Sequence, residues 1–251
     1  MPNHCMNYLD VKGSFKNVLK FVEETHKIIE HDSGSKHYTL SFEKILPTPI
    51  KENGEIIDEW YDWRLKHWGT KWDLYDDYGG FIAGDRTEIL TDNEEYNLKT
   101  LLELKVEDGV ETQYYLTFCT AWCPPMEMYY HLMEKYKELD MTFRASYDEG
   151  GCGFAGHIEF KQGEIIEEEF YDIGDDPVSY YEYLLENGIE EIEYMLEIIR
   201  DQIDENHENE SEEFRDKLYN KIEEVMTNKD VSNKNKANLY VQILYEKPVE
   251  K

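Results

Sequence analysis

From Cys5 to Val11 apolar positions alternate with polar ones, with Cys5, Leu9 and Val11 on one side, which predicts a strand. Gly13-Ser14 supplies a turn and an N-cap. Phe15, Val18, Leu19, Val22, His26 and Ile29 then recur at helical spacing, which predicts an amphipathic helix over 14–31. Tyr38, Leu40 and Phe42 alternate as a second strand that Pro47 and Pro49 stop. Tyr114 to Thr120 reads as a strand with Leu116 and Phe118 inward. Pro124-Pro125 stands where proline opens a helix, and Tyr129, Leu132, Met133 and Tyr136 give that helix its apolar stripe. Met141, Phe143, Ala145 and Tyr147 alternate as the next strand, and a hairpin runs from Phe154 to Tyr171 with its turn near Gln162-Gly163.

The first 172 residues thus read as β-α-β, an aromatic segment, β-α-β and a hairpin. That order predicts an α+β fold: a ferredoxin-like sandwich with two helices on one face of an antiparallel sheet. Gly174-Asp175-Asp176-Pro177 marks a boundary, giving a domain over 1–174 and a helical extension over 175–251. In the extension, residues 178–205 carry a helical stripe from Tyr181 to Ile203, with Asn187-Gly188 as the point where it can break. Phe214, Leu218, Ile222 and Val225 predict a helix over about 211–226. The Asn- and Lys-rich segment 227–238 reads as a loop, and Leu239 to Tyr245 as a closing strand.

Charge changes this picture most. The chain has 26 basic and 56 acidic residues, net −30. Such a surface repels nucleic acid and anionic membranes, and attracts basic surfaces at long range. No apolar run reaches the roughly 18 residues of a membrane span, and the opening residues are unlike a signal peptide. A cytoplasmic protein is expected, with Cys5, Cys119, Cys123 and Cys152 as thiols. The sequence sets no oligomeric state.

Four of the five tryptophans fall in 60–78, Trp60-Tyr61-Asp62-Trp63-Arg64 through His67-Trp68-Gly69-Thr70-Lys71-Trp72-Asp73 to Tyr78. Aromatic density of this kind anchors a core. Two of these motifs, with Met1-Pro2-Asn3-His4-Cys5-Met6-Asn7, Leu46-Pro47-Thr48-Pro49 and Thr120-Ala121-Trp122-Cys123-Pro124-Pro125, resemble a phage and plasmid protein family with a YubB-type ferredoxin-like domain, over about residues 1–160. The resemblance implies the fold and a mobile-element origin. It implies no activity and no catalytic residues. Residues 79–112 read as an insertion, the acidic part after 174 as an extension, and Cys123 stands where serine is expected.

Candidate sites follow from charge and chemistry. Residues 161–212 hold 19 acidic and 2 basic residues. Glu182, Glu186, Glu190, Glu193, Glu197, Asp201 and Asp204 are spaced to share one helix face, recurring every ~5–6 Å along it. Like charges at i,i+4 cost helix stability, and only Arg200 intersperses them. A solvated face explains such a stripe; so does a surface that mimics nucleic acid and docks on the basic groove of a host protein or nucleoprotein complex. Trp63, His67, Trp68, Trp72 and Asp73 are polar and aromatic groups that either line a pocket for a small nucleotide-like ligand or satisfy one another in an aromatic core. The Cys and His spacings do not form a zinc motif. Cys123 precedes a helix start, where a thiol pKa can be lowered, and Pro2 can become an N-terminal secondary amine. No phosphate loop, Gly-x-Ser-x-Gly elbow or His-Glu-x-x-His appears. The expectation is a non-enzymatic binding protein without metal, cofactor, catalytic residue or direct nucleic-acid contact.

Overall fold

The computed structural model describes residues 4–30, 36–74, 112–189 and 192–245. Two compact units result. Met1–Cys152 and Gly156–Glu169 form the first; Gly153–Ala155 and Phe170–Lys251 form the second.

The first unit is built on β1 (His4–Gly13), whose alternate residues are buried. β1 lies between two antiparallel partners, β4 (Thr112–Ala121) and β5 (Met141–Glu149). Leu9 stands opposite Leu116 on one side and Ala145 on the other. With β6 (Phe154–Lys161) and β7 (Glu164–Asp172) the sheet order is β4-β1-β5-β6-β7. This is the expected ferredoxin-like sandwich. Helices α1 (Phe15–Thr25) and α4 (Met126–Lys135) pack Val18, Phe21, Val22, Met128, Tyr129 and Leu132 onto one face of it, against Leu9, Val11, Phe143, Ile158 and Phe160. Ser14 caps α1 as the sequence predicts, its hydroxyl accepting from Asn17 N–H. Gly156 is required where it sits, because a Cβ there would lie 2.4 Å from the Glu169 carbonyl and 2.6 Å from the Tyr147 hydroxyl.

Three local expectations are corrected. Helix α1 stops at Thr25, not 31; Thr25 Oγ1 donates to the Phe21 carbonyl, and the chain continues as β2 (His26–Glu30). β2 pairs with β3 (Lys36–Leu40) as a separate two-stranded ribbon. The Ile28-Ile29 pair favours strand, and over so few residues helical spacing and alternation are hard to separate. Phe42 does not end β3. Ser41 caps a single-turn helix, α2 (Phe42–Ile45), its hydroxyl accepting from Lys44 N–H, and Phe42 is buried against Trp68 and Phe118. Of the segment 79–112, only Thr112, which opens β4, is among the described residues.

The second unit is helical. It contains α5 (Pro177–Glu186), α6 (Ile192–Asn206), α7 (Glu212–Thr227) and α8 (Asn233–Tyr245). Asp176 caps α5 through Val178 and Ser179 N–H, with Pro177 in the first turn. The stretch 178–205 is broken at Asn187-Gly188, where Gly188 takes φ +65°. Of the expected loop over 227–238, residues 228–232 do connect α7 to α8, but from Asn233 onward the loop and the expected closing strand Leu239 to Tyr245 are helix α8. Lys236, Ala237 and Tyr240 are its buried positions, spaced as on a helix face. Tyr240 joins Met195, Leu196, Ile199, Ile203, Ile222 and Met226 in one core and meets the Tyr181 ring edge-on at 4.6 Å.

Candidate functional site

The aromatic stretch forms helix α3 (Trp60–Trp68), which Gly69 ends at φ +79°. Gly69 also approaches the start of α4 so closely that a Cβ would meet Met126 N at 3.0 Å. Trp68 is buried, donates from Nε1 to the Leu46 carbonyl at 2.9 Å and packs on Phe42. Trp60, Trp63 and Trp72 are half-buried. The Arg64 guanidinium lies 5.2 Å from the Trp60 ring centre and 4.5 Å from that of Trp68, and its Nε donates to Thr48 Oγ1. The Lys71 ammonium caps Trp72 at 4.1 Å. Trp63 and His67 stack at 4.3 Å and 19°, with His67 Nδ1 2.7 Å from the Trp63 carbonyl.

Asp73 ties this region together. Its Oδ2 accepts from Lys27 Nζ and Ser41 Oγ, both at 2.8 Å; its Oδ1 accepts from Phe42 N–H at 2.7 Å and from Leu74 N–H at 2.9 Å. Four donors on one carboxylate whose side chain is 8% exposed saturate its acceptors. Trp68 and Asp73 therefore serve the fold, while Trp63 and His67 are half-buried.

Cys5, Cys119 and Cys123 are buried or half-buried and not activated, while Cys152 is exposed. Cys123 Sγ donates to the Gly69 carbonyl at 3.1 Å, and burial pushes its pKa up, which corrects the expectation of a lowered one. The proline pair explains the difference: the helix N-terminus begins beyond it, and the thiol turns back to Gly69. Burial also raises Cys5 and Cys119. His157 meets Glu167, Nε2 to Oε2 3.0 Å. No three His, Cys, Asp or Glu side chains converge as metal ligands among the described residues. Pro2 lies outside them.

The break at Asn187-Gly188 distributes the acidic stripe over two helices, so it is not one continuous face. Glu182 and Glu186 lie on α5; Glu193, Glu197, Asp201 and Asp204 lie on α6; Glu190 is outside the described residues. Glu186, Glu193, Glu197, Asp201 and Asp204 are exposed and Glu182 is half-buried. On α6 the four acids occupy turns opposite Met195, Ile199 and Ile203, which are buried. Arg200 leans on the Tyr219 ring at 4.3 Å, and Arg215 reaches Asp204 at 3.4 Å.

A polar set that the sequence reading passed over lies on the sheet face opposite α1 and α4. Arg144 bridges Glu159 at 3.2 Å and Glu167 at 3.0 Å, with Asp10 opposite it in register. Asp148 is on the same face. Burial, then neighbouring Glu149, pushes its pKa up to about 6. Its Oδ1 is buried without a hydrogen-bond partner among the described residues. The signal was present, since these are the positions alternate to the apolar ones in β1, β5 and β6.

Residues 102–193 match the family described as the ferredoxin-like domain in Api92-like protein. The match runs from before β4 through the hairpin to the start of α6. A crystal structure of a protein api92 from Yersinia pseudotuberculosis is 12% identical, with 68% of this chain and 98% of that one covered at a TM-score of 0.28. No curated protein matches the chain. Together with the strand order, the match to the Api92-like domain makes the fold of this region ferredoxin-like. Among the described residues no helix is long and apolar enough to cross a membrane.

Proposed function

We propose that this is a non-enzymatic binding protein of mobile-element origin. In this reading its acidic helices occupy a basic groove of a host nucleic-acid-targeting defence complex, in place of a nucleic-acid backbone. The observation that carries it is helix α6: Glu193, Glu197, Asp201 and Asp204 are all exposed on one side, while its single arginine is drawn to Tyr219. Turns of ~5–6 Å make the row sparser than the ~3.4 Å phosphate spacing of one DNA strand. Glu205, also exposed, thickens it. Carboxylates held at this density without lysine partners cost helix stability, a cost that a basic partner offsets. The test is reversal of Glu193, Glu197 and Asp201 to lysine, followed by pull-down of the intact chain from a host lysate at low and high salt. The wild type should lose its partners as salt screens the charges, and the reversal variant should lose them at low salt. Retention by the variant at low salt rejects mimicry.

The half-buried Trp63–His67 stack favours one alternative, a pocket for a nucleotide-like ligand. A thermal-shift screen of nucleotides on wild type and Trp63→Ala separates the two. Silence from both leaves the acidic reading, whereas a shift lost in the variant favours the pocket.

A further inference from the structure

Trp122 follows the last residue of β4 and takes φ +74°, in the left-handed region. That region is costly for a bulky side chain. Gln162, the other non-glycine residue there among the described residues, sits in a hairpin turn that calls for it. Hydrogen bonds on both sides of Trp122 hold its backbone. Ala121 N–H donates to Thr70 Oγ1 at 3.3 Å, Thr120 Oγ1 donates to the Cys123 carbonyl at 2.7 Å, and Cys123 Sγ donates to the Gly69 carbonyl at 3.1 Å. The strain does not bury the residue, which is 48% exposed. A strained backbone, fixed from both sides and holding a large aromatic outward, is the arrangement of a contact residue rather than of a core residue.

The other four tryptophans show what such a ring takes in this protein. The Arg64 guanidinium lies over Trp60 and Trp68, the Lys71 ammonium over Trp72, and the His67 ring on Trp63. Trp122 has neither a cation nor a second ring against it among the described residues. The chain that displays it is net −30, and Glu127 is exposed in the first turn of α4, beyond the proline pair. Long-range attraction therefore brings basic segments to this surface, and an indole ring is the side chain that best accepts a cation on its face. We propose that Trp122 is the anchor on which a basic segment of a partner protein seats an arginine or lysine side chain. This contact lies on the first unit and does not depend on the acidic helices.

The probe is a labelled hexapeptide alternating arginine and glycine, titrated against the full chain at low salt, beside the same peptide with citrulline for arginine. Trp122→Leu keeps the net charge and an apolar side chain. It should weaken the arginine peptide about fivefold and leave the citrulline peptide unchanged, and Trp122→Gly should show the same loss. The α6 reversals should lower the affinity for the arginine peptide and keep the ratio between wild type and Trp122→Leu. Trp122→Gly should also have a higher urea midpoint than Trp122→Ala, the reverse of the usual order, because glycine takes a positive φ without steric cost. Equal affinity of wild type and Trp122→Leu for the arginine peptide, an equal loss with the citrulline peptide, disappearance of the ratio in the α6 reversals, or a lower midpoint for glycine than for alanine each overturns the proposal.

Discussion

Asp73 and Asp148 show two opposite fates of a buried carboxylate. Asp73 has a donor for each lone pair, so Asp73→Ala strands the Lys27 ammonium, the Ser41 hydroxyl and two N–H groups. A loss of about 3 kcal/mol is expected, read as a lower urea midpoint. Asp148 has an unpartnered oxygen, and its folded pKa of about 6 lies above the 3.8 of the free group. The folded chain therefore holds an extra proton between those values, and stability falls as pH rises from about 4 to 6. Asp148→Asn should raise stability at pH 7.5 by about 1–2 kcal/mol, discounted for its partial exposure. It should also flatten the pH profile in that window, as thermal melts at several pH values would show. His26 has the opposite sign. Burial, with Lys44 beside it, lowers it to about 3. Thr25 Oγ1 gives its proton to Phe21, so Nδ1 must donate to Thr25 and Nε2 must accept from Tyr114. Its contribution is lost as pH falls below 6.5. None of this was legible in the sequence, where His26 read as one more apolar-stripe residue; the partners come from β4 and α2.

At the scale of elements, the alternating strands β1, β4 and β5 were legible because one face of each is buried and the other is not, and the hairpin was legible through its Gln162-Gly163 turn. β2, α2 and α8 were not, and α2 and α8 are decided by what they pack on. In α8 only the first half, Asn233 to Asn238, is mostly Asn and Lys, and Tyr240 in the apolar second half supplies burial that favours a helix. Tyr240→Ala should cost about 3–4 kcal/mol in the second unit, seen as an earlier loss of helical circular dichroism on heating. The acidic stripe was legible as spacing, but its division was carried by one glycine. Gly188→Ala, at φ +65°, should destabilise by about 1–2 kcal/mol and shift the same melt down.

For the whole molecule, net charge −30 dominates encounter with partners. Association with a basic surface should slow steeply between about 10 and 150 mM salt, because the screening length shortens from about 30 Å to 8 Å; stopped-flow mixing measures this directly. The ferredoxin-like region and the helical unit after it share this charge unevenly, since residues 213–251 carry 8 basic and 7 acidic side chains. Acidity is thus a property of particular surfaces and not of the chain at large.

β7 is the last strand in the sheet order, and Glu164 to Glu169 are exposed along it, which bears on how the protein behaves as a colloid. The chain as a whole becomes neutral near pH 4.5. Repulsion between molecules vanishes there, and with it the protection that net charge gives an open strand. Acidifying a concentrated solution to that point should give ordered, strand-rich precipitate that binds thioflavin, and Ile166→Lys should keep it clear.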